Sequence, residues 1–142
     1  GGLLLEVDGA DILEKPCLRR RPKRFLADHG FREALSSGRN ERDPEPALKN
    51  IVFLELRRRG WRVQFGAGGK RAVDFVAEKE EERLYVQVRS FLDSREAVER
   101  AFEPFYDIPD NRPKLVLSPD PVLRPQDGFR HENLREWLLK DD

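Results

Sequence analysis

The sequence predicts a layered α/β domain, and three observations lead there. One segment, residues 47–59, has helical periodicity, with apolar side chains at Leu48, Ile51, Val52 and Leu56 and a stop at Gly60. Four short apolar runs with strand character follow it, at 61–65, 72–77, 84–88 and 114–118. Helical stretches interleave with these runs, and that alternation favours helices layered on one sheet over two separate halves.

The elements read in order as follows. Leu3-Leu4-Leu5-Glu6-Val7 forms a short strand, Asp8-Gly9 turns, and residues 11–14 return to complete an N-terminal hairpin. The basic stretch Arg19-Arg20-Arg21-Pro22-Lys23-Arg24 reads as a loop, and residues 1–22 as peripheral to the domain. Residues 24–27 are apolar enough for a strand, and 31–36 for one or two helical turns. Gly38 to Pro46 is a loop, and Pro46 suits the first turn of the helix over 47–59. Arg57, Arg58 and Arg59 fall in its last turn, where cations suit the helix dipole. The acidic run 78–82 reads as the hairpin turn between the strands at 72–77 and 84–88. Ser94 is an N-cap for a helix to Phe102, after which Pro104, Pro109 and Pro113 interrupt. Residues 114–118 are a strand, 118–128 a proline-rich loop and 132–139 a closing helix. Trp61 and Trp137 stand in apolar elements and are expected in the core.

Composition narrows the functional classes. The 142 residues suit one domain with a real core. The 27 basic and 27 acidic residues cancel, so any affinity for nucleic acid must come from local clusters. Cys17 is the single cysteine, which rules out an internal disulfide and fits a reducing cytoplasm. His29 and His131 lack metal-ligand spacing and read as surface or loop residues. No apolar run is long enough to span a membrane, and no signal peptide is visible. Methionine is absent and the chain begins Gly1-Gly2, which predicts a piece of a longer protein.

Chemistry concentrates at Asp74, Gln87 and Arg89. A carboxylate inside an apolar strand is costly unless it is paired, hydrogen-bonded or metal-bound. Gln87 follows thirteen residues later in the next apolar strand, and Arg89 shares its face two residues on. The residues alone leave open a paired polar strand end or a site.

These motifs resemble the PD-(D/E)XK nuclease superfamily, which pairs an acid on one strand with Glu/Gln-x-Lys on the next and adds a Glu from a preceding helix. The spacing is similar to that of archaeal Holliday-junction resolvases, with Lys49 eleven residues before Gly60 and Gln87 thirteen after Asp74. Five segments in order also resemble the C-terminal domain of a family of prokaryotic AAA-type ATPases: residues 21–30, 48–56, 73–77, 85–88 and 113–117. The resemblance implies a restriction endonuclease-like, three-layer α/β/α fold around a central mixed sheet, covering 1–142 as one domain. It also implies an upstream P-loop ATPase core as partner, DNA as a ligand class, and Mg²⁺ where the domain is active.

The departures from the family pattern decide the functional expectation. The family's helix Glu is Lys49 here and its Lys is Arg89, so Asp74 alone remains acidic at the motif positions. Asp74 and Gln87 are what is left to hold a metal, and Mg²⁺ prefers carboxylates without neighbouring cations. Arg89 cannot release a proton to help activate water. Both changes weaken metal-assisted hydrolysis. Glu45, one turn before Lys49, is expected to miss the site because Pro46 barely starts the helix, and Glu55 is expected to point elsewhere and pair with an arginine. The expectation is therefore a degenerate accessory domain that binds nucleic acid or regulates the ATPase without cutting. Two alternatives stay open, a metal-dependent endonuclease using Asp74 and Gln87, and a protein-interaction or oligomerisation module.

Weaker signals accompany the site. Gly66-Ala67-Gly68-Gly69-Lys70-Arg71 lacks the P-loop pattern and leads into a strand, so it reads as a hairpin turn bordering the site. Arg19, Arg20, Arg21, Lys23, Arg24, Lys70 and Arg71 are the candidate phosphate contacts. A solvated loop, or a contact with the ATPase core, is the competing reading of the basic run.

Overall fold

A computed structural model describes residues 29–37, 43–66 and 72–140. The N-terminal hairpin, the basic run, the strand expected at 24–27, Cys17, Lys70 and Arg71 lie outside the described residues. The described elements are α1 (Phe31–Ser37), α2 (Glu45–Arg58), β1 (Arg62–Phe65), β2 (Phe75–Lys79), β3 (Glu82–Val88), α3 (Arg95–Tyr106), β4 (Lys114–Ser118), β5 (Arg130–Asn133) and α4 (Leu134–Leu139).

The five strands form one mixed sheet in the order β1-β2-β3-β4-β5. β1, β2 and β3 are an antiparallel meander, whereas β3, β4 and β5 run parallel. Parallel neighbours need a crossover, and α3 supplies it between β3 and β4. Alternation along the strands sorts the core onto both faces. Phe75, Ala77, Val86, Val88, Leu115 and Leu117 join the apolar face of α2 and the Leu134, Trp137 and Leu138 side chains of α4. Tyr85 and Val116 face the other way and pack with Val98, Ala101, Phe102 and Phe105 of α3.

Helix α2 begins two residues before the expected start. Pro46 needs no N–H in the first turn, so the helix closes its first bond from Leu48 N–H to the Pro44 carbonyl, 3.0 Å. It ends as expected: Gly60 takes φ +93°, donates to the Arg57 carbonyl, and is followed by Trp61 N–H to the Leu56 carbonyl. That pair of bonds is the Schellman arrangement, and the left-handed residue in it favours glycine.

Four expectations need correction. The hairpin turn is only Glu80-Glu81, with Glu80 at φ 56°, because Glu78 and Lys79 continue β2 and pair with Arg83 and Glu82. Arg62 and Arg83 both reach Glu78 across the strands, so a charged run does strand work here. Helix α3 passes through Pro104 to Tyr106, where Pro104 and Phe105 are buried, and it forgoes the one i→i−4 bond that Pro104 cannot donate. Residues 130–133 form β5 rather than part of the last helix, which places His131 at 3 % exposure rather than on the surface. Trp137 is in the core as expected, and Trp61 packs only partly buried against it.

Glu55 is fully buried on α2, as the carboxylate partner of two arginines. Arg58 Nε and Nη2 lie 2.8 and 2.7 Å from its oxygens, and Arg59 Nε lies 2.6 Å away. Arg59 also donates to the Trp137 carbonyl at 2.7 Å and sits 4.4 Å over the Trp137 ring. Through Arg59 this cluster ties α2 to α4, and the pairing of Glu55 with arginine is the one the sequence predicts. Glu55→Ala removes the buried carboxylate that collects three charged hydrogen bonds from Arg58 and Arg59, and we expect a loss of about 2 kcal/mol in urea unfolding. Glu78→Ala, which removes the exposed cross-strand pairs, is expected to move the midpoint much less.

Candidate functional site

The site forms where the start of β2 meets the end of β3. Phe75 pairs with Val86 in antiparallel register, so Asp74 falls opposite Gln87. Asp74 lies in a bend just before β2 rather than inside a strand as the sequence suggested, and Arg89 lies just after β3. Gly66 closes the neighbouring end of β1, and a Cβ there would sit 2.2 Å from the Val73 carbonyl oxygen. Close backbone approach is the reason glycine stands at that position.

Side chains complete the ladder. Gln87 Oε1 accepts the Asp74 N–H at 2.7 Å, and Asp74 Oδ2 accepts the Val88 N–H at 2.8 Å. The Gln87 amide also donates from Nε2 to the Ala101 carbonyl of α3 at 3.2 Å. Gln87 is fully buried. Its contact with Asp74 is through backbone, not carboxylate, and both ends of its amide are committed.

The Asp74 carboxylate is matched by cations. Lys49 Nζ lies 3.2 Å from Oδ1, and Arg89 Nη1 lies 2.9 Å from Oδ2. Arg89 Nη1 is also 2.7 Å from the Val88 carbonyl and 3.2 Å from Glu45 Oε1. Lys49 Nζ stands 3.9 Å from the same Glu45 oxygen. Glu45 therefore belongs to the site, against expectation. The signal was available, because residues four apart on a helix share a face. Burial pushes the Glu45 carboxyl above its ordinary value, and the opposing pull of Arg89 and Lys49 does not cancel it.

The structure thus brings Lys49, Asp74, Gln87 and Arg89 together and adds Glu45. The basic residues proposed to contact phosphates, Arg19, Arg20, Arg21, Lys23, Arg24, Lys70 and Arg71, lie outside the described residues. Among the described residues no three His, Cys, Asp or Glu side chains converge as metal ligands. The donor set fits a divalent ion poorly: each of the two carboxylates already faces two cations, and the Gln87 oxygen is held by an N–H. Among the described residues, too, no helix is long and apolar enough to cross a membrane.

No family model matches the chain, and no solved structure matches it. A protein of Haemophilus influenzae, itself named only as an uncharacterized protein, is 33 % identical over 133 residues. The match covers 92 % of this chain and 32 % of that protein, so the chain spans about a third of the relative's length.

The geometry explains why an amide, rather than an acid, stands at position 87. Gln87→Glu would aim a carboxylate oxygen at the Ala101 carbonyl in a fully buried site. The introduced carboxyl then titrates above its ordinary value in the folded state. Its protonated form can still donate to that carbonyl, so the penalty grows as pH rises above roughly 4.3. We expect Gln87→Glu to lose about 2 kcal/mol or more at neutral pH, and clearly less near that lower limit, in denaturant titrations at both.

Proposed function

We propose that this chain is a nuclease-fold accessory domain that has lost cleavage, works within a longer AAA-type ATPase chain and binds nucleic acid. The observation that carries the reading is Lys49. Its ammonium stands 3.2 Å from Asp74, on the helix position where the nuclease pattern has a metal-binding Glu. Arg89 holds the other oxygen of the same carboxylate. The chemistry of a metal nuclease needs a divalent ion with open water positions, and these two cations oppose its entry.

Further features support the nuclease-like part of the reading. The acid precedes one strand, and the Gln-x-Arg motif ends the neighbouring strand of a mixed sheet. The helix before them contributes the third position. Helices cover both faces of that sheet. The partial coverage of the relative agrees with a domain that belongs to a longer chain.

The test is direct. Purified protein with Mg²⁺ or Mn²⁺ is expected to leave branched, single-stranded and duplex DNA intact while retarding it in a salt-dependent mobility shift. Calorimetry is expected to show no Mn²⁺ binding at millimolar concentration. Lys49→Glu, which sets a third carboxylate beside Glu45 and Asp74, is expected to bring such binding into range. Cleavage by the wild-type protein that disappears in Asp74→Ala would overturn the reading and restore the endonuclease alternative. Absence of any DNA retardation would point to a protein-interaction module instead.

A further inference from the structure

A second buried polar group lies at the same end of the sheet, and it is wired in one direction. His131 Nδ1 accepts the Arg124 N–H at 2.8 Å. An acceptor at Nδ1 puts the proton of the neutral ring on Nε2. Nε2 then donates to Ser118 Oγ at 2.7 Å, and the Ser118 hydroxyl donates onward to Asp120 Oδ2 at 2.7 Å. The same Asp120 oxygen accepts the Leu92 N–H at 2.8 Å. Asn133 Nδ2 adds a 3.0 Å bond to the Asp120 carbonyl. Each donor in this chain meets an acceptor, and one link, the Arg124 N–H to Nδ1, depends on His131 being neutral.

The orientation excludes a nucleophilic serine of the hydrolase kind. Ser118 is fully buried and receives a proton from the histidine instead of handing one over. What the network does hold is two loops. Arg124 lies in the long connection from β4 to β5, which carries the exposed Val122 and Leu123. Leu92 lies three residues after Arg89, in the connection from β3 to α3.

We propose that His131 is a proton-operated latch that releases the β4–β5 connection on acidification. A second proton on the ring must go to Nδ1, where it would face the Arg124 N–H. Two donors then point at each other, and turning the ring over does not help because both nitrogens now donate. The strain is relieved only when the Arg124 backbone moves away and both N–H groups reach water. The charged groups acting on the ring are Asp120, which favours the imidazolium, and Arg124, which opposes it; Ser118 is its neutral partner from β4. Burial is the largest influence and sets the ring below the ordinary histidine value.

The sign follows from that direction. The closed form binds a proton less readily than an open form with an ordinary ring, so falling pH favours opening. The latch does not depend on the nuclease-like reading, because it uses neither Asp74 nor Lys49.

Amide exchange by NMR on the full chain tests it. Between about pH 7.5 and about pH 5.5, after correction for the intrinsic exchange rate, protection at Arg124 is expected to fall about tenfold. That is the gain in an open state whose histidine titrates near 6.5. Val86 in the middle of β3 is expected to keep its protection. His131→Asn, whose side-chain oxygen can still accept the Arg124 N–H but cannot titrate, is expected to abolish the pH dependence. Equal protection of Arg124 at both pH values, or the same loss persisting in His131→Asn, overturns the proposal. Should that variant fail to fold, the ring nitrogens of the wild type decide. An Nε2–H tautomer at neutral pH that titrates together with Arg124 exposure supports the latch. An ordinary titration with the Arg124 amide unmoved refutes it.

Discussion

Two hydrogen bonds between the start of β2 and the end of β3 set the rest of this domain's chemistry in place. Past the Phe75–Val86 pair, side chains take over the pairing: Gln87 accepts from the Asp74 backbone, and Asp74 accepts from the Val88 backbone. A buried N–H without a partner costs free energy, so these two residues satisfy the sheet before they do anything else. The consequence is a carboxylate with little freedom. Its second oxygen is fixed by Val88, and its first is left facing Lys49 on α2. Through Gln87 and the Ala101 carbonyl the same pair of strands is tied to α3. One backbone requirement thereby aligns a helix on each side of the sheet.

The charges around that carboxylate balance. Lys49 and Arg89 bring two positive charges, and Asp74 and Glu45 two negative ones, so the quartet is neutral. A three-charge count from the motif positions alone leaves an excess cation, and Glu45 removes it. The balance is not free of cost. Glu45 prefers its proton more than an ordinary carboxyl does, because burial outweighs the attraction of its two partners. The cluster is therefore held less by its own Coulomb energy than by the sheet and helix that bring the four groups together.

How much of this was legible in the sequence depends on how local each signal was. The helix ending at Gly60 and the strand 114–118 were readable because their apolar periodicity and stop signals lie within a few residues. The spacing of Asp74 and Gln87 was readable because antiparallel register turns a sequence interval into opposition across two strands. The face of Gln87 was not, since only α3 reveals which carbonyl its amide meets. Strand β5 was missed because Arg130, His131, Glu132 and Asn133 are polar; its order comes from pairing with β4 and from the burial of His131 against Ser118. Glu45 was discounted on the strength of Pro46, although a proline in the first turn costs a helix nothing there.

Under the reading proposed for this domain, the exchange of the helix Glu for Lys49 and of the motif Lys for Arg89 has a common physical sense. A divalent ion would bring two positive charges to the carboxylates at this corner of the sheet. Lys49 in place of a Glu shifts the corner by the same two charges, Arg89 in place of a lysine shifts it by none, and the carboxylates are satisfied without any ion from solution. What the tethered cations cannot bring is a bound water with a lowered pKa or an open position for a phosphate oxygen. The Lys49 exchange alone settles the charge, and what Arg89 adds is a cation that cannot release a proton to help activate water. Both together keep the sheet corner electrically complete and remove the chemistry. On that reading, the packing of the sheet corner is kept while the reaction is lost.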